Sequence, residues 1–185
     1  MTKVAVLTND LQYDLVEKNR ERIEAVAASK TTICCFLNNI RKLDHLVVHL
    51  QLINLPDDPN AERYNGYLPV QKGTHGADII DDFYCPQDII VMKNKDSGFF
   101  ETNLDTVLKT HHVETVIVTG MQTQICVQTT AADAFFRGYN VWVPKDAVVS
   151  ARPEDKERAL NWLDEYCATI SSTDEIISLL DRKST

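Results

Sequence analysis

Lysine- and arginine-rich tracts are missing from this sequence, and its formal charge is −8. That balance argues against nucleic acid or an anionic membrane as the main partner, because both call for a basic face. No segment approaches the ~18 consecutive apolar residues of a membrane span. The N-terminus, Met1-Thr2-Lys3-Val4-Ala5-Val6-Leu7, runs into an apolar stretch without a leader-type pattern. Cysteine is sparse and odd in number, five residues at positions 34, 35, 85, 126 and 167, with no C-x-x-C pair and no histidine at zinc spacing. Neither a disulfide framework nor a structural zinc site is expected, and a reducing, cytoplasmic setting fits better. Glycine is scarce too, and the turn at Gly120 lacks the second and third glycines that close approach of a pyrophosphate requires. A dinucleotide-binding protein is therefore disfavoured.

What is present is a regular alternation of apolar runs and helical patterns. Strand-like runs occur at Val4–Leu7, His45–Ile53, Ile89–Met92, Val116–Val118, Tyr139–Val143 and Ala168–Ile170. Between them, helices are expected over 17–41, Asn103–Thr110, Cys126–Phe136, 153–167 and from Thr173 through Leu180. Thr31-Thr32 is expected to loosen the middle of the first, Thr102 to cap the second and Gly138 to close the third. With no repeat and no second composition zone, residues 1–185 read as one domain. The fold class is α/β, a three-layer doubly wound, Rossmann-like sheet of about six parallel strands with helices on both faces.

Three polar residues stand at the C-terminal ends of different strands. Asp10 closes Val4–Leu7 within Thr8-Asn9-Asp10, Lys93 follows Ile89–Met92, and Cys126 begins the helix after Val116–Val118. In an open parallel sheet such ends share one crevice. The helix start favours a thiolate at Cys126, through unpaired amides and the helix dipole. Together the three support nucleophilic attack on a carbonyl. Asp10 takes the thiol proton, Lys93 keeps that carboxylate charged, and backbone amides of the Gly120–Cys126 turn hold the oxyanion. Blander readings stand beside these. Cys126 fits a buried core cysteine, Asp10 a turn or cap carboxylate, and Lys93 a surface cation.

Gln12, His49, Phe99 and Gln124 are the side chains expected to line a substrate pocket, although a lone histidine on an apolar strand is more often a hydrogen-bonded core residue. The loop 54–76, with Tyr64, Tyr67 and His75, is expected to act as a lid or an oligomer contact.

Three ordered motifs carry a resemblance. They are Asp10-Leu-Gln-Tyr-Asp-Leu15; Lys93 with Gly98-Phe99 and Thr102; and Gly120-Met-Gln-Thr-Gln-Ile-Cys126 with Thr129, Asp133, Ala134 and Gly138, followed by Asp146-Ala147. Over about residues 3–180 the chain resembles the isochorismatase-like cysteine hydrolase superfamily. The first motif departs from the family's D-x-Q-x-D-F only in Leu15 for Phe. The resemblance implies a catalytic triad of Asp10, Lys93 and Cys126, and it selects Lys93 over Lys95. It also implies a cis peptide between Met121 and Gln122, with the amides of Gln122 and Cys126 forming the oxyanion hole. A homodimer or homotetramer and no cofactor are implied as well. Nicotinamidases of that family carry a D-x-H metal site after the second strand and another His before the G-T segment, where this chain reads Val48-His-Leu-Gln-Leu-Ile53 and places Pro69 four residues before Gly73. No metal is expected. The activity implied is hydrolysis of a C–N bond in a small amide or carbamoyl compound through a Cys126 thioester. The alternatives are a non-catalytic binding or scaffolding member and an ether hydrolase of the isochorismatase type.

Overall fold

A computed structural model of the chain describes residues 3–55 and 68–184. In chain order its elements begin with β1 (Lys3–Asn9), α1 (Tyr13–Val16), α2 (Arg20–Lys42) and β2 (Leu46–Leu52). After a 3-10 turn at His75–Ala77 come β3 (Ile89–Lys93), α3 (Leu104–Thr110) and β4 (Val113–Met121). A π-helical turn, Thr123–Val127, leads into α4 (Gln128–Phe136). The remainder is β5 (Asn140–Pro144), β6 (Val148–Val149), α5 (Pro153–Tyr166), β7 (Thr169–Ser171) and α6 (Thr173–Ser184).

Every strand pairing is parallel, in the order β3-β2-β1-β4-β5-β7, with the two-residue β6 joined to the end of β4. The six expected strands form the continuous path. β6 is additional, and two valines are too short a run to announce a strand.

Alternation along the strands separates two cores. Ala5, Leu7, Val48, Leu50, Val116 and Val118 face α3, α4 and α5. Val4, Val6, Val47 and Ile117 face α2 and α6, where Ile33, Phe36, Leu37 and Ile40 supply the stripe of α2. Both faces are thus covered, which is why the strands carry unbroken apolar runs.

Local chemistry sets the helix ends. Asn19 caps α2, its side chain accepting from the Arg22 N–H at 3.0 Å. α2 then runs without a break through Thr31-Thr32, because its apolar stripe packs on the sheet and outweighs the weak propensity of two threonines. Gly138, at φ +88°, ends α4. Tyr139 N–H reaches the Ala134 carbonyl at 3.2 Å and Gly138 N–H that of Phe135 at 3.0 Å, the paired bonds of a Schellman motif. Thr102 accepts from Leu104 N–H at 3.2 Å, so it supports the start of α3 from two residues upstream rather than as the residue immediately before it. Tyr64 and Tyr67 of the proposed lid lie outside the described residues. His75 packs its ring on Tyr13 with centroids 4.2 Å apart. Among the described residues no helix is long and apolar enough to cross a membrane.

From β1 the chain fills one side of the sheet with β2 and β3, returns to β4 beside β1, and fills the other side. The strand order therefore reverses between β1 and β4, and the crevice beyond their carboxyl ends is the place for a ligand.

Candidate active site

Asp10 follows directly on the last residue of β1, at φ +56°. Asparagine and aspartate tolerate that left-handed conformation better than other side-chain-bearing residues. Its N–H is held by the Leu50 carbonyl at 3.2 Å. Beside it, Asn9 pairs in register with Gly120 of β4. Gly120 has φ +97°, and a β-carbon there would run into the Asn9 backbone. Only glycine lets the two strand ends approach this closely. The next peptide, Met121–Gln122, is cis, and the π-helical turn that follows carries Cys126. The Gln122 carbonyl closes that turn by accepting from Ile125 N–H at 3.0 Å and Val127 N–H at 3.3 Å.

Lys93, the last residue of β3, is buried. Its ammonium lies 3.0 Å from Asp10 Oδ1 and donates to Asp10 Oδ2 at 3.2 Å and to the Asp96 carbonyl at 2.9 Å. The Cys126 thiol donates to Asp96 Oδ1 at 3.6 Å and is close enough to Asp10 and Lys93 to feel the charge of both. Asp10, Lys93 and Cys126 therefore meet in one cluster. A cavity of roughly 660 Å³ opens beside it, with Asp10, Leu52, Asp96, Met121, Gln122 and Cys126 in its wall.

The electrostatics follow from burial. Desolvation raises the Asp10 pKa above the ordinary carboxylate value even though Lys93 pulls it down. Burial works against the Lys93 ammonium, but Asp10 and the Cys126 sulfur outweigh it and hold its pKa above that of an ordinary lysine. The thiol is pushed well above its usual range by burial and then by the Asp10 charge, against the pull of Lys93. The pull of the helix start toward a thiolate is thus outweighed. A helix start favours the anion, yet here desolvation and a neighbouring carboxylate weigh more, and the resting group is the thiol.

Asp10 Oδ1 has no well-aligned hydrogen bond among the described residues, which leaves a lone pair able to receive a proton. The Gln122 side chain accepts from Ala151 N–H at 2.9 Å, while its Nε2 is buried without a partner among those residues.

The four side chains expected in the pocket have other employment. Gln12 is fully buried and clamps the backbone, donating to Leu52 O and Ala77 O and accepting from Leu52 N–H, all at 2.8 Å. His49 points into the opposite core, between Thr8 Oγ1 at 2.6 Å and Asp88 Oδ2 at 3.0 Å. Phe99 packs in the core against Tyr139, under the Arg137 guanidinium. Gln124 accepts from Ser150 Oγ at 2.7 Å and borders a neighbouring hollow. None of the four lines the cavity that holds Cys126.

Three residues not singled out from sequence complete the site. Asp96 touches the thiol. Asn9 donates to the Thr119 carbonyl at 3.2 Å and accepts from Thr130 Oγ1 at 3.2 Å, and Thr130 in turn accepts from Gly98 N–H at 3.0 Å. This chain of bonds ties β1, β4, α4 and the segment after Lys93 into one unit. The only advance signal was position, since Asn9 and Asp96 flank motif residues and Thr130 sits inside the third motif. Asp146, at that motif's end, caps α6 through Thr173 N–H and Oγ1, at 2.9 and 2.7 Å.

Among the described residues no group of three or more His, Cys, Asp or Glu stands close enough to hold a metal. Near the end of β2 the Gln51 amide is bonded to the Ala77 carbonyl at 2.8 Å.

The chain is similar to known proteins in sequence and in fold. The sequence model of the isochorismatase domain matches residues 4–175. N-carbamoylsarcosine amidase from Thermoplasma acidophilum superimposes with a TM-score of 0.81 at 28% identity, covering 93% of this chain and 97% of that one. An isochorismatase family protein from Desulfovibrio vulgaris gives 0.88 at 25% identity, covering 98% and 100%. By sequence, the isochorismatase family protein YaaI of Bacillus subtilis is 40% identical over 91 residues, 49% of this chain and 50% of that protein. The ureidoacrylate amidohydrolase RutB of Pantoea ananatis is 37% identical over 89 residues, 48% of this chain and 36% of that protein. The aligned stretches thus span half or less of these two relatives' own length.

Proposed function

The chain belongs to the isochorismatase family, and from that premise we propose that it is a cysteine hydrolase cleaving the C–N bond of a small amide or carbamoyl compound. The observation that carries this reading is the buried Lys93–Asp10 pair set against the Cys126 thiol at the cavity wall.

The substrate carbonyl enters the cavity with its oxygen toward the backbone amides of Gln122 and Cys126. Asp10 removes the thiol proton as the sulfur attacks the carbonyl carbon, so the high resting pKa of Cys126 is relieved only when a bond forms. The two amides hold the oxyanion. As the tetrahedral species collapses, Asp10 passes its proton to the departing nitrogen and an amine or ammonia leaves. Water, deprotonated by Asp10, then adds to the thioester, and the acid departs as the thiol regains its proton. Lys93 keeps Asp10 available as a base in each half-reaction. The carbamoyl and ureido substrates named for the amidase and RutB relatives support a C–N bond as the target.

Five free cysteines support a cytoplasmic setting. The exposed aromatic cluster of Phe135, Phe136, Trp162 and Tyr166 supports self-association into a homodimer or homotetramer.

The test is ammonia release from a panel of small amides and ureides. Cys126→Ala and Asp10→Asn are each expected to lower kcat/KM by about 10³-fold or more with the circular dichroism spectrum unchanged. Wild-type rates in either variant overturn the mechanism.

A further inference from the structure

The carbonyl carbon attacked by Cys126 bears three substituents in one plane, and the site provides a partner for more than the two that the thioester chemistry uses. Its oxygen meets the Gln122 and Cys126 amides, and its departing nitrogen meets Asp10. The third substituent decides what class of compound is accepted. A sulfur poised for attack stands roughly 3–3.5 Å from that carbon. Asp96 Oδ1 lies 3.6 Å from the same sulfur and in the wall of the same cavity. A group bonded to the carbon therefore comes within reach of the Asp96 carboxylate. Asp96 is also anchored. Its carbonyl accepts from the Lys93 ammonium at 2.9 Å and from Thr130 Oγ1 at 3.5 Å, so its backbone is tied to two parts of the site.

A carboxylate accepts hydrogen bonds and donates none. A methylene placed against it strips water from the carboxylate and returns no bond, whereas an N–H returns a charge-assisted one. We infer that Asp96 is a specificity-determining residue that accepts a hydrogen bond from the second nitrogen of a ureido group, and that the substrates are compounds R–NH–CO–NH2 rather than simple carboxamides. The inference rests on the thioester reading above.

The reaction balances. The thiol and R–NH–CO–NH2 give R–NH–CO–S–Cys126 and ammonia. Water then gives R–NH–COOH and the free thiol, and the carbamic acid breaks down to R–NH2 and carbon dioxide. No oxidant or reductant is involved.

Two matched pairs of compounds isolate the contact, because within each pair one N–H becomes one CH2. They are N-carbamoylglycine against succinamic acid, and N-methylurea against propanamide. The wild-type protein is expected to prefer the ureide in at least one pair. In Asp96→Leu that preference, read as the ratio of the two kcat/KM values within a pair, falls by about 10- to 100-fold. The ratio cancels any change that the lost charge makes to Cys126 itself, and a thermal unfolding curve verifies the fold. A wild-type preference for the amide, an unchanged ratio, or an equal loss on both members overturns the inference. An equal loss instead assigns Asp96 to a step common to all substrates, such as thioester hydrolysis. Ammonia from other plain amides but from neither pair also overturns it and leaves the amidase reading intact. No ammonia from any amide or ureide ends both.

Discussion

Lys93 stands on β3 and Asp10 just beyond β1, yet their charged groups are 3.0 Å apart, across the end of the strand between them. The register explains the reach. Lys93 pairs with Leu52, two residues beyond Leu50, the residue of β2 that pairs with Asn9. A lysine at the extended end of the outer strand has the length to bridge back over its neighbour. Such a buried pair adds little net stability, because desolvation of both ions offsets their attraction. Its value lies in holding a carboxylate charged next to a thiol.

The acid limb of kcat/KM reports the Asp10 carboxyl. Asp10 acts as a base only when deprotonated, and burial raises its pKa despite Lys93. As pH falls, activity is therefore lost at a higher pH than an ordinary aspartate would set. Lys93→Met removes the group that lowers this pKa, so the limb moves further up. A pH profile of ammonia release for both proteins checks it, and a limb at the ordinary carboxylate value contradicts it.

Alkylation of Cys126 reads the thiol directly. With its pKa pushed well above the usual range, iodoacetamide labelling of this residue is slow at neutral pH and rises steeply in alkali. Asp10→Asn removes one of the charges that raise it and leaves Lys93 to pull it down. That variant is expected to label faster at neutral pH by about 10-fold while losing turnover. Peptide mass spectrometry after timed labelling gives both rates, and slower labelling of the variant would rule the argument out.

Much of this arrangement was legible in the sequence because it depends on local pattern. β-branched runs gave the strands, and alternation with helices gave a parallel sheet. Residues at strand ends then had to gather at the carboxyl edge, which made Asp10, Lys93 and Cys126 candidates, and the family resemblance selected them as a set. Side-chain direction was not legible in the same way. Gln12 sits two residues past Asp10, but its amide turns inward to the Leu52 and Ala77 backbone. His49 lies on β2 with its ring on the opposite face from the α3, α4 and α5 layer, a matter of register that a single strand does not reveal. Asp96 was not legible because it lies three residues beyond β3, past the strand end, and only the fold of that loop brings it to Cys126. The state of the thiol depends on burial, which periodicity does not quantify.

The network around His49 yields a stability prediction. Asp88 accepts from Arg41 Nε at 3.0 Å and Nη2 at 2.6 Å, from Cys85 N–H at 2.9 Å, and bonds His49 Nε2 at 3.0 Å. Burial pushes the Asp88 pKa up, but His49, Arg41 and the Cys85 amide more than compensate, and it lies below the ordinary value. A carboxylate depressed in the folded state contributes stability above its unfolded pKa and loses it as pH falls through the folded one. Asp88→Ala is expected to cost roughly 3–5 kcal/mol at neutral pH, because it leaves Arg41 without its buried partner. The cost should shrink in acid. Urea unfolding at the two pH values checks it, and a constant difference contradicts the linkage.

Because Asp10, Lys93 and Cys126 hang from β1, β3 and β4, the proposed reactive centre exists only once those three strands have found their places. Before then Cys126 is an ordinary thiol in a chain with four others, with no neighbouring acceptor and no amide cradle. On the proposed mechanism, hydrolytic competence is thus withheld from nascent and partly melted forms of the chain, and the finished sheet serves as its licence.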